Sequence, residues 1–489
     1  MAIKRFFATK DNTITNAFKD GLTTRGTGSN LGAADIVEVF SIYGQASTAS
    51  SELSRALVEF DTTAVAAARS AETIPASGSV DFYLRMYDAE HIESTPRDFT
   101  LTIAAVSQSW TEGTGLDTVN YTDLGVSNWV KTNSSTNWTD QGGDFLTGSG
   151  DTLMFTSKAF DAGTEDLSVN VTSFVEEWLI GNTGSYGFGI FLTASQETAT
   201  ESYYTKKFFA RKSEYFHRRP VLEARWSDVI ADDSSNFYLS SSRAPAADNL
   251  NTIYMYNYVR GQLVNIPSVG TGAVYLSVYS GSTGPTGSAL SLPTGGGIVS
   301  AGDTAVTGGY ASTGVYSASF AYTSSSITSI YPVWHNNSGI EFFSGSAITV
   351  KSQENASNYP IKDWVLNITN LKTTYSTDEV AKLRLYVRPK NWNPNLYTVA
   401  QTQIETTPIE KAYYKLNRVV DNFEVISYGT GSGNEAYTQL SYDASGNYFD
   451  LDMSMLQSGY NYQLTFLFNL VGDYQEQRAK FKFRVSDGN

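Results

Sequence analysis

The stretch that decides the fold lies between Ser51 and Trp226. Its blocks, in chain order, are SELSRALVEF (51–60), VDFYLRMYDAE (80–90), LTIAAVSQSWTEG (101–113), VNVTSFVEEWLIGN (169–182), YGFGIFLTA (186–194) and KKFFARKSEYFHRRPVLEARW (206–226). The first, second, third and fifth blocks alternate apolar and polar residues over short spans, which is typical of strands that bury one face. This part of the chain therefore predicts an all-β domain.

One convincing helix is predicted in this stretch, within the fourth block. The apolar positions that share one helical face are Val171, Phe174, Val175, Trp178 and Leu179. Ser173 and Glu176 have the spacing of a capping box, and Gly181 is a suitable residue to end a helix. The sequence therefore predicts a short helix that stops at Gly181.

Composition limits the classes of protein to which the chain can belong. Its 489 residues suggest about three domains, and 41% hydrophobic with 13% aromatic residues is enough to build packed cores. The net charge of −15 makes nucleic acid and anionic membranes unfavourable partners. The chain has no Cys, so disulfides, thiolate nucleophiles and zinc–thiolate sites are excluded.

The first residues, MAIKRFFATKDNTI, do not contain the apolar core of a signal peptide. No run of the sequence approaches the ~20 apolar residues of a membrane-spanning helix. Together with the absence of Cys, these features lead us to expect a protein that is made and assembled in a reducing cytoplasm.

We expect three all-β domains, at residues 1–228, 229–353 and 354–489. The middle segment has strand-like runs separated by the loops GSTGPTGS (281–288) and LPTGGGIVSAG (292–302), and this pattern predicts an Ig-like β-sandwich. The last segment contains seven strand-like runs, and DASGN (443–447) is a hairpin signal between two of them. We therefore predict a second small Ig-like sandwich at the C-terminal end.

The first segment resembles the DNRLRE-type jelly-roll modules, which are related to carbohydrate-binding modules and occur in secreted and viral surface proteins. Three motifs carry this resemblance: Trp110, Glu112 and Gly113; Val171, Thr172, Val175 and Trp178; and Ser213, Glu214, Arg219, Pro220 and Leu222. The resemblance implies an N-terminal jelly-roll β-sandwich whose task is to bind, display or join rather than to catalyse.

Candidate chemistry in the sequence is sparse. His91, His217 and His335 lie far apart, whereas a metal site normally needs ligands at short spacing. Glu176 and Glu177 are neighbours on the predicted helix and would point in different directions, unlike the facing carboxyl groups of a glycosidase. We therefore predict a non-enzymatic protein with no catalytic, cofactor or metal site, and leave a structural calcium open.

A loop after Trp110 carries a candidate glycan platform. Trp129, Trp138 and Asp140 lie in NWVKTNSSTNWTDQGG (128–143), and exposed Trp rings can stack on sugars while a neighbouring carboxylate bonds hydroxyls. In the resembled family the aromatic side chains of this loop mostly pack. Both roles stay open for Trp129 and Trp138.

The N-terminal segment carries a candidate assembly anchor. Lys4, Arg5, Phe6 and Phe7 precede the first domain, and an extended arm of this kind can add a strand to the sheet of a neighbouring subunit. The alternative is that the segment is the first strand of its own domain.

One basic cluster stands out in the acidic chain. Its members are Lys206, Lys207, Arg211, Lys212, Arg218 and Arg219. Because aromatic residues separate these cations, the pattern is compatible with a nucleic-acid-binding face. The resemblance to the jelly-roll module instead implies that this segment is the closing strand pair, and the cluster is then a candidate contact to an acidic neighbouring subunit.

The chain as a whole resembles structural proteins of marine tailed bacteriophages. The similar segments are MAIKRFFATKDNTITNAF (1–18), RGTGSNLGAADIVEVFSIYG (25–44), LSYDASGNYFDLDMSML (440–456), GYNYQ (459–463) and FKFRV (481–485). The resemblance implies a non-enzymatic virion component assembled in the host bacterial cytoplasm: a neck or collar appendage, a head decoration, or a tail or baseplate fibre component. Its expected partners are capsid, neck or tail proteins and further copies of itself. The alternative function is a carbohydrate-binding adhesin that attaches the particle to host surface glycans.

Overall fold

The structure is a computed structural model. It describes residues 2–19, 21–48, 50–90, 96–116, 126–148, 150, 154–200, 204–293, 298–299, 304–352, 363–390, 406–470 and 472–488. The candidate residue His91 and the predicted domain boundary at residue 353 lie outside these ranges. No helix in the described residues is long and apolar enough to cross a membrane.

The first part of the chain is built mainly from strands. These are β1 (Ile3–Thr15), β2 (Ile36–Tyr43), β3 (Ser51–Phe60), β4 (Asp81–Met86), β5 (Phe99–Ala105), β6 (Phe155–Phe160), β7 (Leu167–Asn170), β8 (Phe188–Leu192), β9 (Tyr204–Phe209) and β10 (Val221–Arg225). The α-helices are α1 (Thr62–Ser70), α2 (Thr172–Leu179) and α3 (Ala194–Glu197). We call this unit the first sandwich.

Strand β1 belongs to both sheets of the first sandwich. Its residues Ile3–Phe7 pair with β10 and its residues Ala8–Thr15 pair with β3, with a register shift between Ala8 and Lys10. The first half of β1 forms an antiparallel sheet with β10, β4 and β7, which we call the joint sheet. The second sheet runs β1–β3–β8–β5–β6, and β2 joins β3 to β9.

The core of the first sandwich follows the alternation of its strands. On the joint sheet, Phe82, Leu84, Leu222 and Ala224 are fully buried in this core. Successive strand residues point to opposite faces. The residues between them, including Glu223, therefore lie on the outer face of the joint sheet.

Helix α2 has the predicted apolar face but not the predicted cap. The helix begins at Thr172 after the cap residue Val171, so Ser173 lies inside its first turn and the expected capping box is wrong. Glu176 instead accepts two hydrogen bonds of 2.8 and 2.6 Å from Arg69, which ties α2 to α1. The end is as predicted, since Gly181 follows the helix with a φ of +78°, a conformation that favours glycine.

The middle sandwich has its own core. Its strands are β11 (Asn251–Tyr256), β12 (Tyr258–Val259), β13 (Gln262–Leu263), β14 (Val274–Tyr279), β15 (Ile298–Val299), β16 (Val306–Ser312), β17 (Val315–Phe320), β18 (Ser329–His335), β19 (Glu341–Ser344) and β20 (Ile348–Thr349). The main order is β11–β17–β16–β14–β18–β19, and Phe237, Tyr316 and Trp334 lie in the core. Strands β12 and β13 form a separate hairpin.

The third sandwich consists of two sheets. Its strands are β21 (Trp364–Ile368), β22 (Thr374–Ser376), β23 (Val380–Pro389), β24 (Ala412–Arg418), β25 (Glu424–Ile426), β26 (Ser441–Asp443), β27 (Gly446–Asp452), β28 (Asn461–Leu470), β29 (Asp473–Glu476) and β30 (Phe481–Ser486). One sheet runs β21–β23–β27–β26, and the other runs β22–β30–β28–β24–β25 with β29 beside β28. Asp443 pairs with Gly446, so DASGN forms the predicted hairpin.

The prediction of an all-β chain built from several sandwiches is confirmed. The structure also shows that the three sandwiches do not each have a separate core. Buried residues of the first and third sandwiches belong to one continuous hydrophobic cluster, while those of the middle sandwich form another. The first and third sandwiches are therefore joined through a shared hydrophobic core.

Candidate functional site at the joint between the first and third sandwiches

Strand β10 lies at the centre of this joint. All five of its residues, Val221–Arg225, are buried. Leu222 and Ala224 face the core of the first sandwich, and therefore Glu223 and Arg225 face outward. A strand buried on both faces needs a second layer over its outer face, and the third sandwich supplies that layer.

Glu223 gathers three arginines on the outer face of the joint sheet. Its carboxylate accepts hydrogen bonds from Arg5 Nε at 2.7 Å and from Arg225 Nε at 2.8 Å. Arg85 Nη1 lies 3.4 Å from the same carboxylate. The sheet register explains this arrangement: Arg5 is directly opposite Glu223 on β1, and Arg85 is a diagonal neighbour on β4. We call these four residues the Glu223 cluster.

Burial and mutual attraction both act on the charges of the Glu223 cluster. The carboxyl group is fully buried, which alone would raise its pKa, but Arg5, Arg85 and Arg225 together hold the pKa well below the usual range. Burial is the largest single influence on Arg85 and lowers its pKa, but the combined effects of Glu223, Tyr87 and Tyr437 outweigh burial, so the pKa is raised. The cluster therefore stays ionised and shielded from solvent, a state that suits fixing geometry better than exchanging protons.

The Glu223 cluster also reaches directly into the third sandwich. Arg5 donates a hydrogen bond through Nη2 to the carbonyl oxygen of Val425, at the β25 edge. The Arg225 guanidinium lies 4.7 Å from the centroid of the Tyr437 ring and 3.9 Å from the Glu435 carboxylate. Tyr83 of β4 donates a hydrogen bond to the same Glu435. Charged groups of one sandwich are thus satisfied by groups more than 200 residues later in the chain.

His217 fills a second part of the joint. Its Nε2 lies 3.1 Å from the hydroxyl oxygen of Tyr462, and its ring stacks on Phe423 with centroids 6.0 Å apart. Burial, together with the charges of Arg5 and Arg418, lowers the pKa of His217 to about 3. His217 is therefore a neutral core residue of the joint at neutral pH.

The candidate anchor residues are used within the chain. Arg5 belongs to the Glu223 cluster, and Lys4 Nζ donates to Thr73 Oγ1 at 3.4 Å. Phe6 packs against the core, and the Phe7 ring lies 4.8 Å from Phe216. Of the two alternatives left open, the structure shows the first strand of the chain's own domain, because β1 pairs with β10 and β3 of its own sandwich, while assembly through a neighbouring subunit stays a prediction.

The candidate glycan platform is buried. Trp129 and Trp138 keep only 5% and 4% of their surface exposed, so neither ring is open to a sugar. The Trp138 indole N–H donates to the carbonyl of Asn128 at 2.8 Å. Asp140 is exposed at the edge of the loop, but the platform prediction is wrong because its aromatic half is packed away.

A small aromatic core explains this burial. Trp110, Trp129 and Trp138 pack together with Ile14 and Leu57. Arg55 lies with its guanidinium 5.4 Å from the Trp129 ring centroid and donates to Glu197 at 2.9 and 2.6 Å. At Gly142, with a φ of +94°, an added Cβ would lie 2.8 Å from the Trp129 ring, so the loop needs glycine there to close over the indole.

The basic cluster is largely consumed inside the first sandwich. Its ion pairs are Lys206–Asp88, Lys207–Glu38, Arg211–Glu112 and Lys212–Glu112. Lys206 is fully buried, and its burial lowers the pKa of the ammonium group. Arg219 Nε donates to the carbonyl of Ser213 at 2.8 Å, and Arg218 lies over the Phe209 ring. Four of the six cations are therefore already in ion pairs within the chain, and a contact to an acidic neighbour stays a prediction.

The remaining chemistry candidates are separate from one another. His335 Nε2 lies 2.9 Å from the hydroxyl of Ser277 in the middle sandwich. His217, in contrast, lies in the joint between the first and third sandwiches. Glu176 is occupied by Arg69, and Glu177 bonds Asn182 at 2.9 Å. Within the described ranges, no group of three or more His, Asp or Glu residues is placed to hold a metal ion.

Sequence reasoning missed the Glu223 cluster because charged residues on alternate strand positions normally face water. A signal was present nonetheless. The outer face of β4 carries Tyr83 and Arg85, followed by Tyr87, and Arg and aromatic residues are enriched in interfaces. Glu223 and Arg225 also carry opposite charges on one face of β10, which is a second sign of a covered rather than a solvent-exposed face.

Comparisons with known proteins leave the resemblances as predictions. No family model and no curated protein matches this chain. Among solved structures, the N-terminal Ig1-2 module of the Drosophila receptor protein tyrosine phosphatase DLAR covers 48% of this chain and 90% of its own, at 8% identity and a TM-score of 0.14. A structure of tandem Ig repeats of Dlar covers 45% and 92%, at 11% identity and a TM-score of 0.14. At these values the likeness carries no argument about function.

Proposed function

We propose that this protein is a non-enzymatic structural component of a tailed-bacteriophage virion, carried as a peripheral appendage or decoration in several copies. The segments that resemble marine phage structural proteins support placing the protein in a phage particle. The Glu223 cluster supports the structural role, because it joins two sandwiches that are distant in sequence into one unit.

The joint also suits assembly from many weak contacts. When the first and third sandwiches are fixed relative to each other, a contact made by either one positions the other without a further loss of orientational freedom. On a symmetric shell or tail, individually weak contacts of many such copies add up to stable attachment. The joint between the first and third sandwiches is therefore the single observation that carries the structural role.

The experiment is to locate the chain in purified particles. Virions released from cells that carry the gene are examined by mass spectrometry and by cryo-EM with imposed and relaxed symmetry. The expected result is a stoichiometric component whose density shows the first and third sandwiches as one body in a ring or lattice. Absence of the chain from particles that are otherwise complete would refute the proposal.

A further inference from the structure

A groove of about 460 Å³ opens at one end of the third sandwich. It lies between the start of β24, the end of β28, strand β29 and the Gly-rich loop at residues 430–433, with Ser227 from the segment after β10 on its rim. Its volume falls within the range of ~300–1,000 Å³ that small-molecule sites occupy, and such sites favour the borders between domains.

An aromatic ring is presented at this groove. Tyr474 of β29 keeps 51% of its surface exposed, whereas Tyr413 beneath it is buried at 4%. The two ring centroids are 6.3 Å apart, and the Tyr474 hydroxyl donates to the carbonyl of Thr430 at 3.4 Å. The buried ring and the hydroxyl contact hold Tyr474 in place while leaving part of its surface to solvent. An apolar sugar face stacks on a ring held in this way.

Two side-chain amides in the groove are fixed at one end and unused at the other. Gln439 Nε2 donates to the carbonyl of Glu410 at 3.1 Å, which leaves its Oε1 as an acceptor. Asn469 Oδ1 accepts from the backbone N–H of Gly472 at 3.0 Å, which leaves its Nδ2 as a donor. In the described part of the chain these two remaining atoms make no hydrogen bond. One donor and one acceptor, both oriented in advance, match the hydroxyl groups of a sugar ring.

A cation completes the set. Lys411 is exposed on the groove and forms no salt bridge with any described residue, although the chain carries a net charge of −15. The loop beside Lys411 needs glycine at position 431. An added Cβ at Gly431 would lie 2.4 Å from Glu435 Cβ, so a larger residue would have to displace the loop. The Lys411 charge interacts with the neighbouring Glu410 carboxylate without forming a salt bridge, so the ammonium group can still pair with a ligand that carries a carboxylate.

We propose that this groove binds a hexopyranose oligosaccharide, with preference for a hexuronate. Tyr474 stacks on a ring face, Gln439 and Asn469 hold hydroxyl groups, and Lys411 pairs with the uronate carboxylate. The inference goes beyond the virion role and does not rest on it, because the groove belongs to the isolated chain. It also places glycan recognition on the third sandwich, away from the buried Trp129 and Trp138.

The test is calorimetric titration of the purified full chain with a galacturonate hexamer and, separately, with a neutral glucose hexamer. Tyr474→Ala should weaken binding of both hexamers by about tenfold or more, since it removes the stacking surface. Lys411→Gln should weaken only the galacturonate and make the two hexamers nearly equal. The matched control is Tyr258→Ala, which removes a tyrosine of 61% exposure on the β12–β13 hairpin and should change neither affinity.

Three results would overturn the proposal. The first is no binding of either hexamer at about 10 mM, a concentration that saturates any site with a Kd near 1 mM. The second is binding that survives Tyr474→Ala unchanged in a variant whose melting temperature matches the wild type. The third is an equal effect of Tyr474→Ala and Tyr258→Ala, which would show non-specific adsorption to exposed rings. None of these results bears on the presence of the chain in virions.

Discussion

Replacing Glu223 with Gln should loosen the joint more than any surface change of similar chemistry. The substitution keeps the side-chain volume but removes the one fully buried negative charge that faces Arg5, Arg85 and Arg225. What remains is Glu435, which is 3.9 Å from Arg225 alone. Removing one partner of a buried ionic group costs about 3–5 kcal/mol, because the remaining charges stay desolvated. We expect a loss of this size in the free energy of unfolding.

The assay is differential scanning calorimetry combined with urea unfolding, since a chain of several sandwiches need not unfold in one step. The transitions that include the first and third sandwiches should move to lower temperature, while that of the middle sandwich, with its separate core, should stay in place. Because the pKa of Glu223 is lowered in the fold, its contribution is present above the unfolded value of ~4.3 and is lost as the pH falls below it.

The control variant is Glu379→Gln. Glu379 pairs with Lys372 through side chains that are 31% and 58% exposed, and exposed pairs contribute about 1 kcal/mol or less. Two results would refute the reasoning that the Glu223 cluster stabilises the joint. One is that Glu223→Gln destabilises the chain no more than Glu379→Gln. The other is that Glu223→Gln lowers the transition temperature of the middle sandwich by the same amount.

Three further changes test other parts of the structure. His217→Gln should remove a pH dependence: the unfolded chain binds a proton near pH 6.5 and the fold only near pH 3, so wild-type stability should fall relative to the variant by about 1.4 kcal/mol per pH unit in urea unfolding between pH 6 and 4. A constant difference would contradict this. Asp11→Asn should stabilise the chain at pH 8 but not at pH 4, because burial raises the pKa of Asp11 to about 6 and its charged form is disfavoured in the fold; an unchanged melting temperature at both pH values would count against it. Trp129→Ala should cost about 3–5 kcal/mol of unfolding free energy as a buried aromatic, and the mild effect of an exposed platform residue would show that the loop is open in solution.

Local features of the fold could be predicted where neighbours in sequence decide them. The alternation in SELSRALVEF and VDFYLRMYDAE became β3 and β4, and DASGN became the turn between β26 and β27. The apolar face of α2 and its end at Gly181 also follow from spacing. Its cap could not be predicted, because Glu176 found a stronger partner in Arg69 of another helix.

The candidate sites failed for a related reason. Trp129 and Trp138 are equally compatible with a platform and with a core, and only the packing of Trp110 and Arg55 around them chose the core. The groove residues Lys411, Asn469 and Tyr474 are scattered over more than 60 positions, so no spacing rule connects them.

The sequence by itself determined the class of this protein: alternating strands and turn signals lead to an all-β chain of several sandwiches. Only the tertiary structure decided which strands would be buried on both faces. Glu223 and Arg225 look like solvent-facing residues until the third sandwich, which begins well over 100 residues later, covers them. The physical reason is that period-two patterns record which residues share a face, whereas the partner of that face depends on how distant segments return to it.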